Sequence, residues 1–426
     1  MRILLLGAGG FIGRHILSDL LAVGHEVVGV ARSTASLAHT FPDARFVQLN
    51  LAQAIHVDDW APHVLDVDVI VNAAGLLRGR DLEAVHVTMP RALYEASTDA
   101  GVRRAVLISA ISARVDIATD YSQTKLAGEA ALSSSTLDWT ILRPSLVYGD
   151  GSYGGTSLMR GMAGLPFVTP IPGDGEFAFT PIHVCDLARS VRIACEGRLP
   201  PRQTLEPVGP ETLTLRQMLA RYRAWLGFGD AHIIPVPMPL MCLLGRIGDA
   251  VGDGPVSSNS IDQMIAGNAG SSAAFADAIG FAPRSLEAAL RDRPAQVQDR
   301  WHARLFFLAP ILQTILILMW LASAWLGLFQ GEQATAQLVK AADLPESWGA
   351  PLQIGASVLD IAIAAQLLFD RSAVRSAICQ LMVISGYTLV IGATLPQLWI
   401  DPLGPLLKNI PIMAAVVIYG VIGDKR

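Results

Sequence analysis

The stretch that decides the fold is Arg2-Ile3-Leu4-Leu5-Leu6-Gly7-Ala8-Gly9-Gly10-Phe11-Ile12-Gly13. A short unbroken apolar run reads as a strand buried on both faces of a parallel sheet. Glycines at 7, 10 and 13 follow it, then an amphipathic stretch to about residue 23 and a second apolar run over 27–31. This is strand, glycine turn, helix, strand. In that context missing side chains let the chain turn tightly and bring a helix N-terminus, with its free N–H groups and positive dipole end, against a pyrophosphate. The expected cofactor is a dinucleotide, held by Gly7, Gly10, Phe11, Ile12 and Gly13.

The end of the second strand sets the cofactor type. An acid there binds the ribose 2′-hydroxyl of NAD. Here Ala31 is followed by Arg32, Ser33 and Thr34. No carboxylate repels a 2′-phosphate, and a guanidinium is at hand to pair with one. Arg14 follows the last glycine. NADP(H) is therefore favoured over NAD(H). Further strands read at 45–49, 69–71, 105–109 and 139–142, with a helix over 84–101 in which Pro90 marks a kink or a late start. Asn50 and Leu51 end the third strand, Ala73, Ala74 and Gly75 follow the fourth, and Pro144 follows the sixth; all are placed beside the nucleotide. The alternation predicts an α/β fold with a Rossmann-type doubly wound parallel sheet. A smaller substrate part extends from about residue 145 to 295. It includes a helix over 213–226 whose Thr214 and Gln217 have capping-box spacing, and a strongly apolar stretch over 238–247. That stretch reads as a core or interface helix, or else as a wall for a lipophilic substrate or a surface on a bilayer. His183 and Asp186 read as residues that cap and order the sheet edge.

Tyr121 and Lys125 stand four residues apart at the start of a helical segment, so they share one helix face. A tyrosine is a poor acid or base at neutral pH without a neighbouring cation, and a lysine supplies that charge and a hand for the nicotinamide ribose. Ser109, 12 residues before Tyr121, lies at a strand end and is the candidate to orient a substrate oxygen; Ser112, nine before it, is the other candidate. The first 304 residues hold 25 arginines and one lysine, and that lysine is Lys125. A compact ammonium is kept at the one place where this chemistry needs it.

Taken together, Gly7–Gly13, Asn72-Ala73-Ala74-Gly75, Tyr121-Ser122-Gln123-Thr124-Lys125, Leu142-Arg143-Pro144-Ser145-Leu146-Val147-Tyr148-Gly149, Pro181-Ile182-His183-Val184-Cys185-Asp186-Leu187-Ala188 and Gly280-Phe281-Ala282-Pro283-Arg284-Ser285-Leu286 resemble the extended and atypical branch of the short-chain dehydrogenase/reductase superfamily. The resemblance covers about residues 1–295. The segment Ser109-Ala110-Ile111-Ser112-Ala113 resembles the atypical subgroup containing the 39 kDa accessory subunit of respiratory complex I. That subgroup includes proteins that hold NADPH without evident turnover. Asn50 stands where the superfamily usually has an Asp that reads the adenine amino group.

The remainder of the chain differs in kind. The whole sequence is 52% hydrophobic and 16% charged, with a mean hydropathy of +0.42. Residues 305–426 hold only 13 of the 69 charged residues. Apolar runs of about the length a transmembrane helix needs read at 305–328, 350–369, 376–395 and 405–422. The boundary is placed at 300/301, with a nucleotide-binding domain before it and an all-α four-helix transmembrane domain after it. Between the first two spans lies a polar loop with Glu332, Lys340, Asp343 and Glu346. Arg291, Arg293, Arg300, Arg304, Arg371, Arg375, Lys425 and Arg426 fall on one side of an even number of spans, and Lys340 and Lys408 on the other. The expected topology is multi-pass in an inner or cytoplasmic membrane, with both termini in the cytoplasm. Asp360 is the one isolated charge inside a span, a functional candidate or a bundle-facing paired group. The tail resembles the DoxX-like four-helix family through Leu406-Leu407-Lys408-Asn409-Ile410-Pro411-Ile412. Expected partners are the bilayer and either a lipophilic small molecule or a membrane protein complex. With a net charge of −5 and no basic stripe, no nucleic acid is expected. Four scattered cysteines without a CxxC spacing predict free thiols and no metal site. The first residues do not read as a signal peptide.

Overall fold

The computed structural model describes residues 1–151, 153–251, 257–370 and 372–423. Arg371, Lys425 and Arg426, used above for topology, lie outside the described residues. The chain forms two compact units, Met1–Ala303 and Arg304–Arg426.

The first unit is built on a seven-stranded, all-parallel sheet. Its strands are β1 (Arg2–Leu6), β2 (Glu26–Ala31), β3 (Arg45–Gln48), β4 (Val69–Asn72), β5 (Arg104–Ile108), β6 (Asp138–Leu142) and β7 (Gln203–Leu205). Their spatial order is β7-β6-β5-β4-β1-β2-β3. The winding reverses between β1 and β4, and in such sheets ligands bind at that point, beyond the carboxyl ends of the strands. Alternate residues of β1 serve opposite faces. Ile3 and Leu5 pack with Ile16, Leu17 and Leu20 of helix α1 (Phe11–Ala22). Leu4 and Leu6 pack with Trp60 and with Met89, Leu93 and Tyr94, of which the last three lie on α2 (Met89–Asp99). This two-sided burial is why the strand is apolar throughout. β7 has no apolar run of its own: Gln203, Thr204 and Leu205 find their place by pairing with Thr140, Ile141 and Leu142.

The helix expected over 84–101 is two pieces. A π-helical turn, Ala84–Thr88, passes directly into α2, with Pro90 in the first turn after the change of helix type, where a residue without an N–H interrupts the regular ladder. The capping box at Thr214 and Gln217 forms on the Leu215–Trp225 helix. His183 accepts from the Cys185 amide at the start of the Val184–Cys195 helix, and Asp186 holds Arg284, with Arg284 Nη2 donating over 3.0 Å. Met238–Val251 is a helix but not a core one. Leu240, Leu243, Leu244 and Ile247 are 42–51% exposed, so the core reading fails: Gly245 packs on Ile261 while the leucines face outward.

Among the described residues three helices are long and apolar enough to cross a membrane: Val297–Gln330, whose first residues belong to the first unit, Glu346–Phe369 and Ala373–Thr394. The fourth expected span falls short. Pro402, Gly404 and Pro405 keep residues 401–408 out of helix, and the helix that follows, Asn409–Ile422, has 14 residues, about 21 Å at 1.5 Å per residue. That is below the roughly 30 Å of a hydrocarbon core, so these residues do not supply the even count on which the topology rested. The polar loop after the first span contains a helix, Glu332–Ala341. Asp360 is 3% exposed. Ser323 Oγ donates to its carboxylate over 2.6 Å and Tyr387 Oη over 3.1 Å, each from a different long helix.

Candidate functional site

Gly7 has a φ of +76°, and a Cβ there would stand 2.8 Å from the Ala73 carbonyl oxygen. Gly10 donates its N–H to the Gly7 carbonyl over 2.9 Å. A Cβ on Gly13 would come within 2.1 Å of that same oxygen, so only glycine lets α1 start this close to β1. Gly9 and Gly10 are exposed at the helix N-terminus, with Phe11 and Ile12 half-buried behind them. Arg14 donates from Nε to the Gly9 carbonyl over 3.1 Å, which holds its guanidinium beside the turn. Arg32 and Ser33 are exposed just past β2. Asn50 is exposed at the end of β3, where its side chain closes a local turn by accepting from the Ala52 amide; Leu51 is half-buried beside it. Asn72, buried at the end of β4, accepts from the Ala74 amide and so shapes the Ala73–Gly75 turn. These elements lie at the carboxyl ends of β1, β2, β3 and β4. The glycine cradle, an exposed helix N-terminus and basic groups beside it fit a dinucleotide.

Tyr121 and Lys125 lie on helix α3 (Asp120–Ser133), whose first turn is capped by Thr119 Oγ1. Lys125 is 6% exposed. Its Nζ donates to the Ile108 carbonyl over 3.1 Å and stands 6.0 Å from the centre of the Tyr121 ring. A Cβ on Gly75 would lie 3.1 Å from that Nζ, so the glycine after β4 keeps the ammonium open to whatever runs past this turn. Burial lowers the Lys125 ammonium to about 8, opposed by the Glu129 carboxylate. Burial raises the Tyr121 phenol to about 12. Spacing alone predicts that Lys125 brings the phenol down; here desolvation outweighs the cation, and Tyr121 is a held proton.

Two residues at this face are not singled out by the sequence. His86, on the π-helical turn, is 4% exposed and its ring meets that of Tyr121 edge-on at 5.8 Å. Its Nε2 accepts from the Leu76 amide over 3.1 Å. Thr124 Oγ1 gives its own proton to the Asp120 carbonyl, which leaves His86 Nδ1 to donate to Thr124 over 2.9 Å. Those bonds select one neutral tautomer, and burial, then the Lys125 charge, hold the imidazole down to about 3. The π-turn that places it has no sequence signal. Glu129, one helical turn beyond Lys125, is 5% exposed and takes a two-pronged contact from Arg143, with Nε 2.9 Å from Oε1. Its four-residue spacing from Lys125 was the available signal. Ser109 is buried at the end of β5, and its hydroxyl donates to Glu129 Oε1 over 2.5 Å. The structure thus brings Tyr121, Lys125, Gly75 and His86 together, while the Ser109 proton is turned toward Glu129. Ser112 is also buried, and its carbonyl accepts from the Ser122 hydroxyl. Pro144 is buried, its carbonyl accepting from the Ile111 amide between β5 and β6.

A parallel sheet with a glycine cradle at its switch point and a Tyr–Lys helix face beside it defines a short-chain dehydrogenase/reductase-like, NAD(P)-binding domain. The comparisons with known proteins agree. The NAD(P)H-binding family matches residues 7–164, and the DoxX-like family matches residues 317–417. A ceramide reductase from Caulobacter vibrioides is 27% identical over 252 residues, covering 57% of this chain and 76% of that protein. Mitochondrial NADH dehydrogenase (ubiquinone) 1 alpha subcomplex subunit 9 of Mus musculus is 27% identical over 244 residues, covering 55% of this chain and 63% of the subunit. Among solved structures, a nucleoside-diphosphate-sugar epimerase from Staphylococcus aureus covers 68% of this chain and all of its own, with a TM-score of 0.56 at 16% identity. The UDP-glucuronic acid 4-epimerase of Bacillus cereus, solved with NAD, covers 68% of this chain and 97% of its own, with a TM-score of 0.51 at 19% identity. These two show the fold. The chain is a membrane-associated, NAD(P)-binding, oxidoreductase-like protein with a short-chain dehydrogenase/reductase-like domain and a DoxX-like helical domain.

Proposed function

We propose that the chain is an NADP(H)-dependent oxidoreductase, or a related epimerase, acting on a lipophilic substrate of quinone, isoprenoid or lipid type. The observation that carries the reading is the pair formed by half-buried Tyr121 and buried Lys125, with the lysine facing Gly75 at the switch point of the sheet. When bound, the nicotinamide supplies a hydride donor or acceptor. Tyr121, which keeps its proton, donates it to the substrate oxygen as charge builds there and recovers it in the reverse direction. Lys125, beside Gly75 and 6.0 Å from the Tyr121 ring, would hold the nicotinamide ribose and stabilises the phenolate left behind. Ser109, whose proton goes to Glu129, orients the substrate oxygen when that oxygen is a hydroxyl, by accepting its proton in a hydrogen bond. Arg14 and Arg32 pair with a 2′-phosphate, and Asn50 lies near the adenine. The ceramide reductase likeness and the membrane helices favour a substrate that resides in lipid. The arginines at 291, 293, 300 and 304 place the start of the first span on the cytoplasmic side, where NADPH is available.

A second reading rests on the Ser109–Glu129 bond and the likeness to a complex I subunit: the domain holds NADPH as an accessory or assembly module of a respiratory membrane complex without turnover. Purified chain in lipid nanodiscs separates the two. The enzyme oxidises NADPH when a long-chain carbonyl or quinone is added. The accessory module shows only a rise in melting temperature with NADPH. A greater rise with NADPH than with NADH supports the cofactor preference, and equal rises contradict it.

A further inference from the structure

Glu129 is a buried side chain that the mechanism above uses only as the acceptor of the Ser109 proton. It sits on the same face of α3 as Tyr121 and Lys125, four residues beyond the lysine and about 12 Å along the helix from the tyrosine. Arg143, at the end of β6, grips both its oxygens, with Nε at 2.9 and 3.2 Å. One of those oxygens also receives the Ser109 hydroxyl. The carboxylate is thus fixed by β6 and fixes β5 in turn. The β5 end is also where Lys125 is anchored, through the Ile108 carbonyl.

We infer that Glu129 is a positioning residue of this site: clamped by Arg143, it turns the Ser109 proton inward and stands behind Lys125 as the anion that holds the ammonium. Two consequences follow. Ser109 presents lone pairs to the site, so Tyr121 is the hydroxyl that donates to a substrate oxygen. Lys125 also keeps its charge in a place where burial alone works against it. The direction of the Glu129 effect on the ammonium agrees, since its field raises what burial lowers. The inference rests on the reading of this face as the reactive one, and its test needs no turnover.

Lys125 is the one lysine in the first 304 residues, so after a pulse of acetic anhydride on the full chain in nanodiscs its acylation is read by mass spectrometry of the proteolytic peptide that carries it, apart from the lysines at 340, 408 and 425. Only the uncharged amine reacts. In Glu129→Gln the pH of half-modification falls, and at pH 7 Lys125 is acylated about threefold faster or more, the equivalent of half a pH unit. Glu129→Asp, which keeps the carboxylate, returns the profile toward that of the natural chain. Ser109→Ala leaves it unchanged. Glu129→Gln strands the Arg143 charge, which itself pushes the ammonium down, so the double variant E129Q/R143Q is measured alongside; with both charges gone the shift keeps its direction and is smaller. Identical profiles for the natural chain and a folded Glu129→Gln variant, or a shift confined to the single variant and so due to Arg143 alone, overturn the inference. Turnover with unaltered profiles refutes this inference and leaves the enzyme reading standing. A shifted profile in a chain that never oxidises NADPH refutes the enzyme reading and leaves the positioning role standing.

Discussion

Lys125 and Tyr121 are displaced by burial in opposite senses, the ammonium down to about 8 and the phenol up to about 12. Between pH 8 and the ordinary lysine value of 10.5, the unfolded chain binds a proton that the folded chain has released. The Lys125 contribution to stability therefore rises with pH across that window and is lost as pH falls back through it to about 8, by up to about 3 kcal/mol. Thermal unfolding at pH 8 and pH 10 should show this rise in the natural chain and a smaller one in Lys125→Met. Activity should run the other way. The rate falls as pH rises through about 8, because a neutral Lys125 no longer stabilises the tyrosinate; a rate–pH profile checks it. At this scale the sequence is a good guide where spacing along one helix sets the chemistry, as for Tyr121 and Lys125. It is a poor guide where a partner comes from another element. Nothing in residues 81–90 announces the π-turn that brings His86 to Tyr121, and the partner of Ser109 lies 20 residues away on α3.

At the scale of elements, the site depends on close approaches that only glycine permits. Gly13→Ala sets a methyl against the Gly7 carbonyl, and Gly128→Ala sets one 2.2 Å from the His86 carbonyl, so α3 must back away from the π-turn. Each should cost about 1–3 kcal/mol, typical of overpacking. Gly13→Ala should also abolish the NADPH-induced rise in melting temperature, whereas Gly128→Ala should weaken catalysis more than cofactor binding. Differential scanning with and without NADPH, together with initial rates, separates the two. Among the long apolar helices, Asp360→Leu leaves the Ser323 and Tyr387 hydroxyls without their acceptor. It should lower stability in detergent by about 1–3 kcal/mol, while Asp360→Asn, which keeps an acceptor, should lower it less. Six strands of the sheet are legible in the sequence, five as apolar runs and β3 through Phe46 and Val47 in the repeating strand–helix alternation. β7 is not, because its order comes from its neighbour.

For the molecule as a whole, the unequal distribution of charge along the chain is enough to separate a nucleotide-binding part from a membrane part. Reading spans from apolar runs does not give helix lengths, since hydropathy ignores Pro402, Gly404 and Pro405, after which the last apolar helix has 14 residues. The exposed leucines of the Met238–Val251 helix are equally hidden, because composition does not say which apolar stretch is buried.

The central claim is that Tyr121 and Lys125 form a working redox site for a lipophilic substrate. The most direct measurement is NADPH oxidation by the purified full chain in lipid nanodiscs supplied with long-chain carbonyl or quinone substrates, for the natural chain and for Tyr121→Phe. Substrate-dependent oxidation is expected in the natural chain and a loss of about 10²–10⁴-fold in Tyr121→Phe, with NADPH still bound within about twofold. Full turnover in Tyr121→Phe, or no oxidation by a natural chain that binds NADPH across the series, would contradict it.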